Sequence, residues 1–139
     1  MSCTKLQILI VDDEAGVLRA LSRLLRHHDV FQAENYEQAE QILRDERLDL
    51  IVTDCVMPGR SGVDVLLTAR TLQPKATRVM LSAYPPSDLQ QLIDDGLIDE
   101  FFSKPWERGV AEELERVVAE GLAKAAAAPD STAADETTD

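Results

Sequence analysis

The sequence predicts an α/β protein built on one five-stranded parallel sheet with five helices on its two faces. Five short apolar runs, rich in β-branched residues, alternate along the chain with five segments in which apolar residues recur at helical spacing. Such alternation is typical of a parallel sheet covered by helices on both sides. The apolar runs are nearly continuous, which indicates strands that are buried on both faces.

The predicted strands are short and end at polar or turn-forming residues. They cover residues 7–11, 30–33, 50–53, 78–81 and 100–103. Pro58 and Gly59 break regular structure soon after the third strand, and Pro85-Pro86 fix the loop after the fourth.

The first two helices are predicted from periodicity and capping. The first covers residues 14–27, because five apolar residues share one of its faces: Val17, Leu18, Leu21, Leu24 and Leu25. Asn35 with Gln38 forms an N-cap signature for the second helix, which runs to about residue 46.

The other helices have clear start or stop signals. The third begins at Gly62 and ends before Pro74. Ser87 with Gln90 resembles a capping box for a short fourth helix that stops at Gly96. The fifth helix is predicted over residues 106–125.

Length and composition favour one globular domain. The 139 residues divide into a short extension (1–5), a folded domain (6–124) and an Ala/Thr/Asp-rich segment (125–139) that we expect to be a disordered tail or linker. No apolar run is long enough to cross a membrane, and the N-terminus lacks the pattern of an export signal. We therefore expect a cytoplasmic protein without membrane contact.

The net charge of −12 disfavours direct binding of nucleic acid, which needs clustered Lys and Arg. Arg19, Arg23 and Arg26 recur at helical spacing, and we interpret them as a solvated face of the first helix. The two cysteines, Cys3 and Cys55, are too few for a disulfide framework or a zinc site.

The residues that carry chemistry stand where predicted strands end. Asp12 and Asp13 follow the first strand, Asp54 the third, Ser82 the fourth and Lys104 the fifth. Because ligands of such sheets bind beyond the carboxyl ends of the strands, we expect these side chains to converge. Crowded carboxylates without His or Cys ligands favour Mg2+, or Mn2+, as the bound cation. Asp54 could then attack phosphorus, with Lys104 and Ser82 stabilising the phosphoryl oxygens.

Taken together, these motifs make the chain resemble the receiver domain of two-component response regulators over residues 5–123. The matching segments are Asp12-Asp13, Thr53-Asp54, Met57-Pro58-Gly59, Ser61-Gly62, Leu81-Ser82-Ala83 and Ser103-Lys104-Pro105. The resemblance implies a flavodoxin-like, doubly wound sheet of order 2-1-3-4-5. It implies a signalling switch rather than an enzyme.

The resemblance also implies roles for individual residues. Asp54 would take a phosphoryl group from a sensor histidine kinase or a phosphotransfer protein. Asp13 and Asp54 would bind Mg2+ directly, Asp12 through water, and Val56 through its carbonyl. Ser82 and Phe101 would act as switch residues, with Lys104 on the phosphoryl group. A cis Lys104-Pro105 bond is expected as well.

The expected output surface consists of helix 4, strand 5 and helix 5. The resemblance leaves open a homodimer through this surface, and leaves open whether the chain is a stand-alone receiver or part of a longer protein. Two alternatives also remain at this point. One is a phosphohydrolase of the haloacid dehalogenase type, although Val56 stands where that chemistry needs a carboxylate. The other is a receiver-like interaction module that is not phosphorylated.

The chain departs from the commonest receiver pattern beside the expected phosphorylation site. Ser82 replaces the more frequent Thr, and the apolar Val56 stands where many members have a polar residue. Tyr84 is bulky. We hypothesise that Val56 and Tyr84 hinder the water that hydrolyses the acyl phosphate, which would prolong the signal.

Overall fold

The computed structural model describes residues 5–106 and 109–127, with side chains as far as residue 121. Five parallel strands form one sheet in the order β2-β1-β3-β4-β5. The strands are β1 Gln7–Val11, β2 Asp29–Ala33, β3 Leu50–Thr53, β4 Thr77–Ser82 and β5 Glu100–Ser103. The predicted fold class and strand order are therefore confirmed.

Five helices connect the strands and cover both faces of the sheet. They are α1 Ala15–Leu24, α2 Tyr36–Asp45, α3 Gly62–Leu72, α4 Leu89–Asp94 and α5 Val110–Ala127. α1 and α5 pack in one hydrophobic cluster, whereas α2, α3 and α4 pack in another. Each strand residue of the core points to one of these two clusters, as the two-residue periodicity of a strand requires.

The central strands are buried on both faces, as their apolar runs predict. All residues of β3 and β4 are buried, and so are four of the five residues of β1. Ile10 and Val52 face the α1/α5 side, whereas Leu9 and Ile51 face the other. This double burial fixes the register, because a shift by one residue would exchange the two faces.

α1 ends three residues earlier than its periodicity predicts. The turn after Leu24 leads to His28, which is buried. His28 Nδ1 accepts the Leu6 N–H at 3.0 Å, and its Nε2 lies 2.8 Å from Glu115 Oε2. These partners are distant in sequence, so periodicity within α1 cannot predict them.

The predicted N-cap of α4 is wrong by one residue. Ser87 lies in a turn, and the N-cap is Asp88, whose side chain makes no capping hydrogen bond in the described structure. The Asp88 backbone (φ −104°, ψ 29°) lacks the extended conformation in which a cap side chain reaches back to the helix.

α5 begins at Val110 rather than at residue 106, and it extends to Ala127, two residues beyond the predicted end. Gly109 precedes it with φ 91°, a left-handed conformation that glycine adopts without a steric penalty. The predicted tail beyond residue 127 and Cys3 lie outside the described residues. Within the part that the structure does describe, no helix combines the length and apolarity needed to span a membrane.

Candidate functional site

The carboxyl ends of β1 and β3 bring the early acidic pair and the central aspartate together. Val11 and Thr53 are register partners, so Asp12 and Asp54 follow them at the same level of the sheet. The Asp54 N–H still donates to the Val11 carbonyl at 2.9 Å, which continues the ladder by one residue. Carboxylate oxygens of Asp12, Asp13 and Asp54 lie within 4.8 Å of one another.

Lys104 reaches this cluster from the edge strand β5. Its Nζ lies 2.6 Å from Asp12 Oδ2 and 3.4 Å from Asp54 Oδ2. The Lys104 N–H donates to the Ser82 carbonyl at 3.1 Å, which ties the residue to β4. The following Lys104-Pro105 bond is cis, as predicted. The ammonium group therefore bridges two of the three carboxylates.

Asp12 and Lys104 each influence the pKa of the other. Asp12 is 2% exposed, and this burial raises the pKa of its carboxyl, against the lowering effect of the Lys104 ammonium and the Glu14 N–H. Burial acts to lower the pKa of Lys104, but the hydrogen bond and charge of Asp12, with Asp54 in addition, outweigh it and raise that pKa. Lys104 is thus held as a cation.

The backbone around Asp54 fixes the orientation of its side chain. The Cys55 N–H donates to Asp54 Oδ1 at 2.8 Å. The Gly62 N–H donates to the Cys55 carbonyl at 2.9 Å, which brings the start of α3 against the strand end. Burial, followed by the charge of Asp54, raises the pKa of the Cys55 thiol, which disfavours a reactive thiolate.

The remaining predicted site residues lie around this centre. Ser82 is buried at the end of β4, and its Oγ contacts the Tyr84 backbone N–H and carbonyl, each at 3.3 Å. Val56 and Tyr84 are 63% and 74% exposed. Phe101 on β5 is half-buried and packs against the cluster formed with α2, α3 and α4.

The site has the donor set of a hard cation. The converging groups are oxygen atoms, and oxygens that bind one Mg2+ lie at most about 4.2 Å apart. The observed span of 4.8 Å is close to that limit, so small side-chain rotations would suffice. The pocket thus combines a divalent-cation donor set, a fixed carboxylate and a lysine cation.

A comparison with protein families shows which family the chain belongs to. A family model described as the response regulator receiver domain matches residues 8–118, which include every residue of the site. This chain belongs to the response regulator receiver family. Receiver domains are signalling modules of two-component systems, and they bind Mg2+ at this acidic pocket.

Characterised receivers with similar sequences occur in different contexts. The hydrogenase transcriptional regulatory protein HoxA of Bradyrhizobium diazoefficiens is 36% identical over 102 residues, which are 72% of this chain and 21% of that protein. Sporulation initiation phosphotransferase F of Bacillus subtilis is 30% identical over 103 residues, covering 73% of this chain and 83% of that protein. This chain thus spans about a fifth of HoxA but most of phosphotransferase F.

Solved receiver structures superpose on the chain. The response regulator TrrA of Thermotoga maritima, solved with Mg2+ and BeF, has a TM-score of 0.70 at 28% identity, with 82% of this chain and 99% of that chain covered. A CheY-like receiver of Methanospirillum hungatei has a TM-score of 0.80 at 22% identity, over 87% of this chain and 99% of that one. The second similarity concerns the fold alone.

Two features of this receiver site were not predicted from the sequence. Lys104 lies closer to Asp12 than to Asp54, so the first strand holds the lysine more directly than the third. A Cβ on Gly62 would lie 1.8 Å from the Asp54 carbonyl oxygen. The available signal for this close approach is a glycine three residues after Pro58-Gly59, which the sequence associates with a helix start and a family motif but not with a backbone contact.

Proposed function

We propose that this receiver is a phosphorylation-controlled switch whose phosphoacceptor is Asp54. The phosphoryl group would come from a phosphohistidine of a sensor histidine kinase or of a phosphotransfer protein. The observation that carries the proposal is the cation at Lys104, 3.4 Å from Asp54 and 2.6 Å from Asp12, beside an aspartate that ends a central strand. An isolated helix cap or surface lysine would not produce this arrangement.

In the proposed reaction, a carboxylate oxygen of Asp54 forms a bond to phosphorus while the phosphorus–nitrogen bond of the donor breaks. The imidazole nitrogen leaves with the electron pair and takes up a proton. The Cys55 N–H, at 2.8 Å from Asp54 Oδ1, holds the carboxylate in one orientation for this attack. Lys104 would offset the negative charge on the transferred oxygens.

Asp13, Asp54 and the Val56 carbonyl are the proposed direct ligands of Mg2+, for which Mn2+ could substitute, and Asp12 would hold the ion through water. When bound, the ion would neutralise charge between the carboxylates and the phosphoryl oxygens. Without it, the acidic residues would repel the incoming phosphoryl group. The TrrA structure solved with Mg2+ and BeF supports this assignment by analogy.

The proposed switch couples the pocket to the edge of the sheet. Ser82 would exchange its 3.3 Å contacts to the Tyr84 backbone for a hydrogen bond to the phosphoryl group. Phe101, on the neighbouring strand and only half-buried, would then turn further inward. These two movements would alter the surface formed by α4, β5 and α5, through which the receiver would bind its target or a second copy.

The other functions considered have less support. The family match gives no support to a phosphohydrolase of the haloacid dehalogenase type, and Val56 lacks the carboxylate such an enzyme needs. The lysine that bridges two buried carboxylates places a cation where a phosphoryl group would add negative charge, which favours a phosphorylated receiver over a module that is not phosphorylated. The cytoplasmic location and the domain boundaries at residues 5 and 124 stay predictions.

Incubation with acetyl phosphate and Mg2+, followed by a phosphate-affinity gel, tests the proposal. We expect a retarded band for the native chain and for Asp45→Asn, a matched change on the exposed surface of α2. The band should be absent for Asp54→Asn and in EDTA. A band that persists in Asp54→Asn would refute the assignment of the phosphoacceptor, and sustained phosphate release from varied esters would favour a hydrolase instead.

A further inference from the structure

The outer face of α1 and the turn after it carry an arginine stripe, which we define as Arg19, Arg23 and Arg26. The spacing of four residues brings Arg19 and Arg23 to one side of α1. Arg26 lies in the turn after α1, and its Nη1 donates to the Arg23 carbonyl at 3.1 Å, which holds its side chain beside the other two. All three are exposed, and none pairs with a carboxylate among the residues that the structure describes. By contrast, Arg44 on α2 is paired with Glu40 at 3.0 Å. In a chain of net charge −12, an unpaired basic face is unexpected.

α5 leads the chain to the end of the molecule at which α1 ends. α1 and α5 share one hydrophobic cluster, and Glu115 of α5 contacts His28, just after α1. An added Cβ on Gly121 would lie 3.4 Å from Thr77 Oγ1, at the first residue of β4. α5 therefore passes the amino-terminal edge of the sheet before it ends at Ala127.

The residues that follow α5 have the complementary charge. Residues 128–139 contain four carboxylates and no Lys, Arg or His; the acidic residues are Asp130, Asp135, Glu136 and Asp139. From Glu115 to Ala127 the helix rises about 18 Å, so a return to the end of α1 requires a reach of about 20 Å. Eight extended residues, as far as Asp135, span about 27 Å, but three, as far as Asp130, span only about 10 Å.

We propose that residues 128–139 dock on the arginine stripe of α1, with Asp135, Glu136 and Asp139 as the contacting carboxylates. Each exposed ion pair is weak alone, but the covalent tether gives the segment a high effective concentration at α1. The proposed docking of residues 128–139 does not depend on the proposed phosphorylation of Asp54. α1 begins shortly after Asp12 and Asp13, so a partner protein that reaches the acidic pocket along α1 would pass the arginine stripe. The docked segment would cover that stripe and would repel an acidic partner.

Paramagnetic relaxation measured on the full chain tests the contact. A nitroxide would be attached at Thr138→Cys in a Cys3→Ser background, since Cys55 is buried. At about 20 mM NaCl we expect the amide signals of residues 19–26 to broaden, and at about 1 M NaCl, where the Debye length is only about 3 Å, to recover. Arg44→Gln should leave the broadening intact, whereas the combined Arg19→Gln, Arg23→Gln and Arg26→Gln variant should lose it.

Neutralising the tail distinguishes the contacting carboxylates. The combined Asp135→Asn, Glu136→Gln and Asp139→Asn variant should lose most of the broadening, and Asp130→Asn should retain it. Absence of broadening at low salt, broadening that survives the triple arginine change, or broadening that rises with protein concentration and so reports a second copy would each overturn the proposal. Apart from Cys3→Ser in the labelled protein, all these substitutions are on exposed arginines or in the segment after α5, so we expect the fold to be preserved.

Discussion

At the scale of single residues, the site is a balance between one lysine and two buried aspartates. Asp12 is 2% exposed and Asp54 8% exposed, and burial raises the pKa of the Asp12 carboxyl. Lys104 Nζ lies within 4 Å of both and supplies the compensating charge within the protein. The same arrangement readies Asp54 for an incoming anion, because a cation is already present where negative charge will be added.

Replacing this lysine should therefore cost stability as well as switching. In Lys104→Met, we expect the free energy of unfolding in EDTA to fall by about 2 kcal/mol, since a hydrogen bond between charged groups is lost and two carboxylates are left facing each other. Added Mg2+ should restore more stability to this variant than to the native chain. Urea denaturation with and without Mg2+ measures both effects. If Mg2+ stabilised the two proteins equally, Lys104 would not be the group that compensates the carboxylates.

The lifetime of the phosphoryl group depends on the side chains at the mouth of the pocket. Val56 is 63% exposed and offers no hydrogen bond to an attacking water. We expect Val56→Asn to speed dephosphorylation about threefold or more, equivalent to about 0.7 kcal/mol in the barrier. Release of phosphate from the phosphorylated protein measures the rate. Leu67→Asn, at another exposed apolar position, should leave the rate unchanged, and an unchanged rate in Val56→Asn would end the hypothesis.

At the scale of secondary-structure elements, the start of α3 determines where Asp54 sits. Ser61 and Asp64 form a reciprocal capping box, and the Gly62 N–H bonds the Cys55 carbonyl at 2.9 Å. The helix therefore begins in direct contact with the backbone that carries the phosphoacceptor. Only a residue without a Cβ fits, because a Cβ would lie 1.8 Å from the Asp54 carbonyl oxygen.

Gly62→Ala should thus damage both stability and the site. We expect a loss of about 3 kcal/mol or more, since backbone rather than a flexible side chain must move, together with loss of the retarded band in the phosphate-affinity gel. Gly16→Ala in α1 is the matched control: its Cβ would meet only the far end of Arg19, at 3.9 Å. That variant should gain about 0.5 kcal/mol. A stable, fully phosphorylated Gly62→Ala would show that the close contact is unimportant.

At the scale of the whole molecule, the sequence was sufficient for the sheet but not for every helix end. Apolar runs located all five strands to within one residue at each end, because double burial leaves a strong local signal. The end of α1 depends instead on His28 and its partners Leu6 and Glu115, which lie 22 and 87 residues away. Such contacts cannot be derived from periodicity within one helix.

For the candidate site, too, the sequence predicts what depends on strand topology and does not predict the individual side-chain contacts. Strand ends at one edge of a parallel sheet bring together Asp12, Asp54 and Lys104, which the sequence order alone suggested. The preference of Lys104 for Asp12 could not be predicted, because it depends on side-chain reach across the intervening strands. The same holds for the contact between Ser82 Oγ and the Tyr84 backbone.

α4 is held more weakly than the other helices that the structure describes in full, so a change at the pocket can move it. α4 has six residues, none of them fully buried in the described structure, and its N-cap Asp88 makes no side-chain capping bond there. Asp94 and Asp95 stand at its C-terminal end, where the helix dipole disfavours negative charge. α3, in contrast, has a capping box and four buried residues. α4 is therefore the element that a change at Ser82 can rearrange at least cost.

Hydrogen exchange followed by NMR tests whether α4 is weakly held and whether it responds to a change at the pocket. In the unmodified protein, the amides of α4 should open with a lower free energy than those of α3, by about 2 kcal/mol or more. Adding Mg2+ and beryllofluoride, which stands in for a phosphoryl group, should change the protection of α4 and β5 in the native chain but leave both unchanged in Asp54→Asn. α2, capped by Asn35, should respond little in either protein and serves as the internal control. If the change stayed confined to the residues of the pocket, the proposed route from Asp54 through Ser82 to the α4–β5–α5 surface would have to be abandoned.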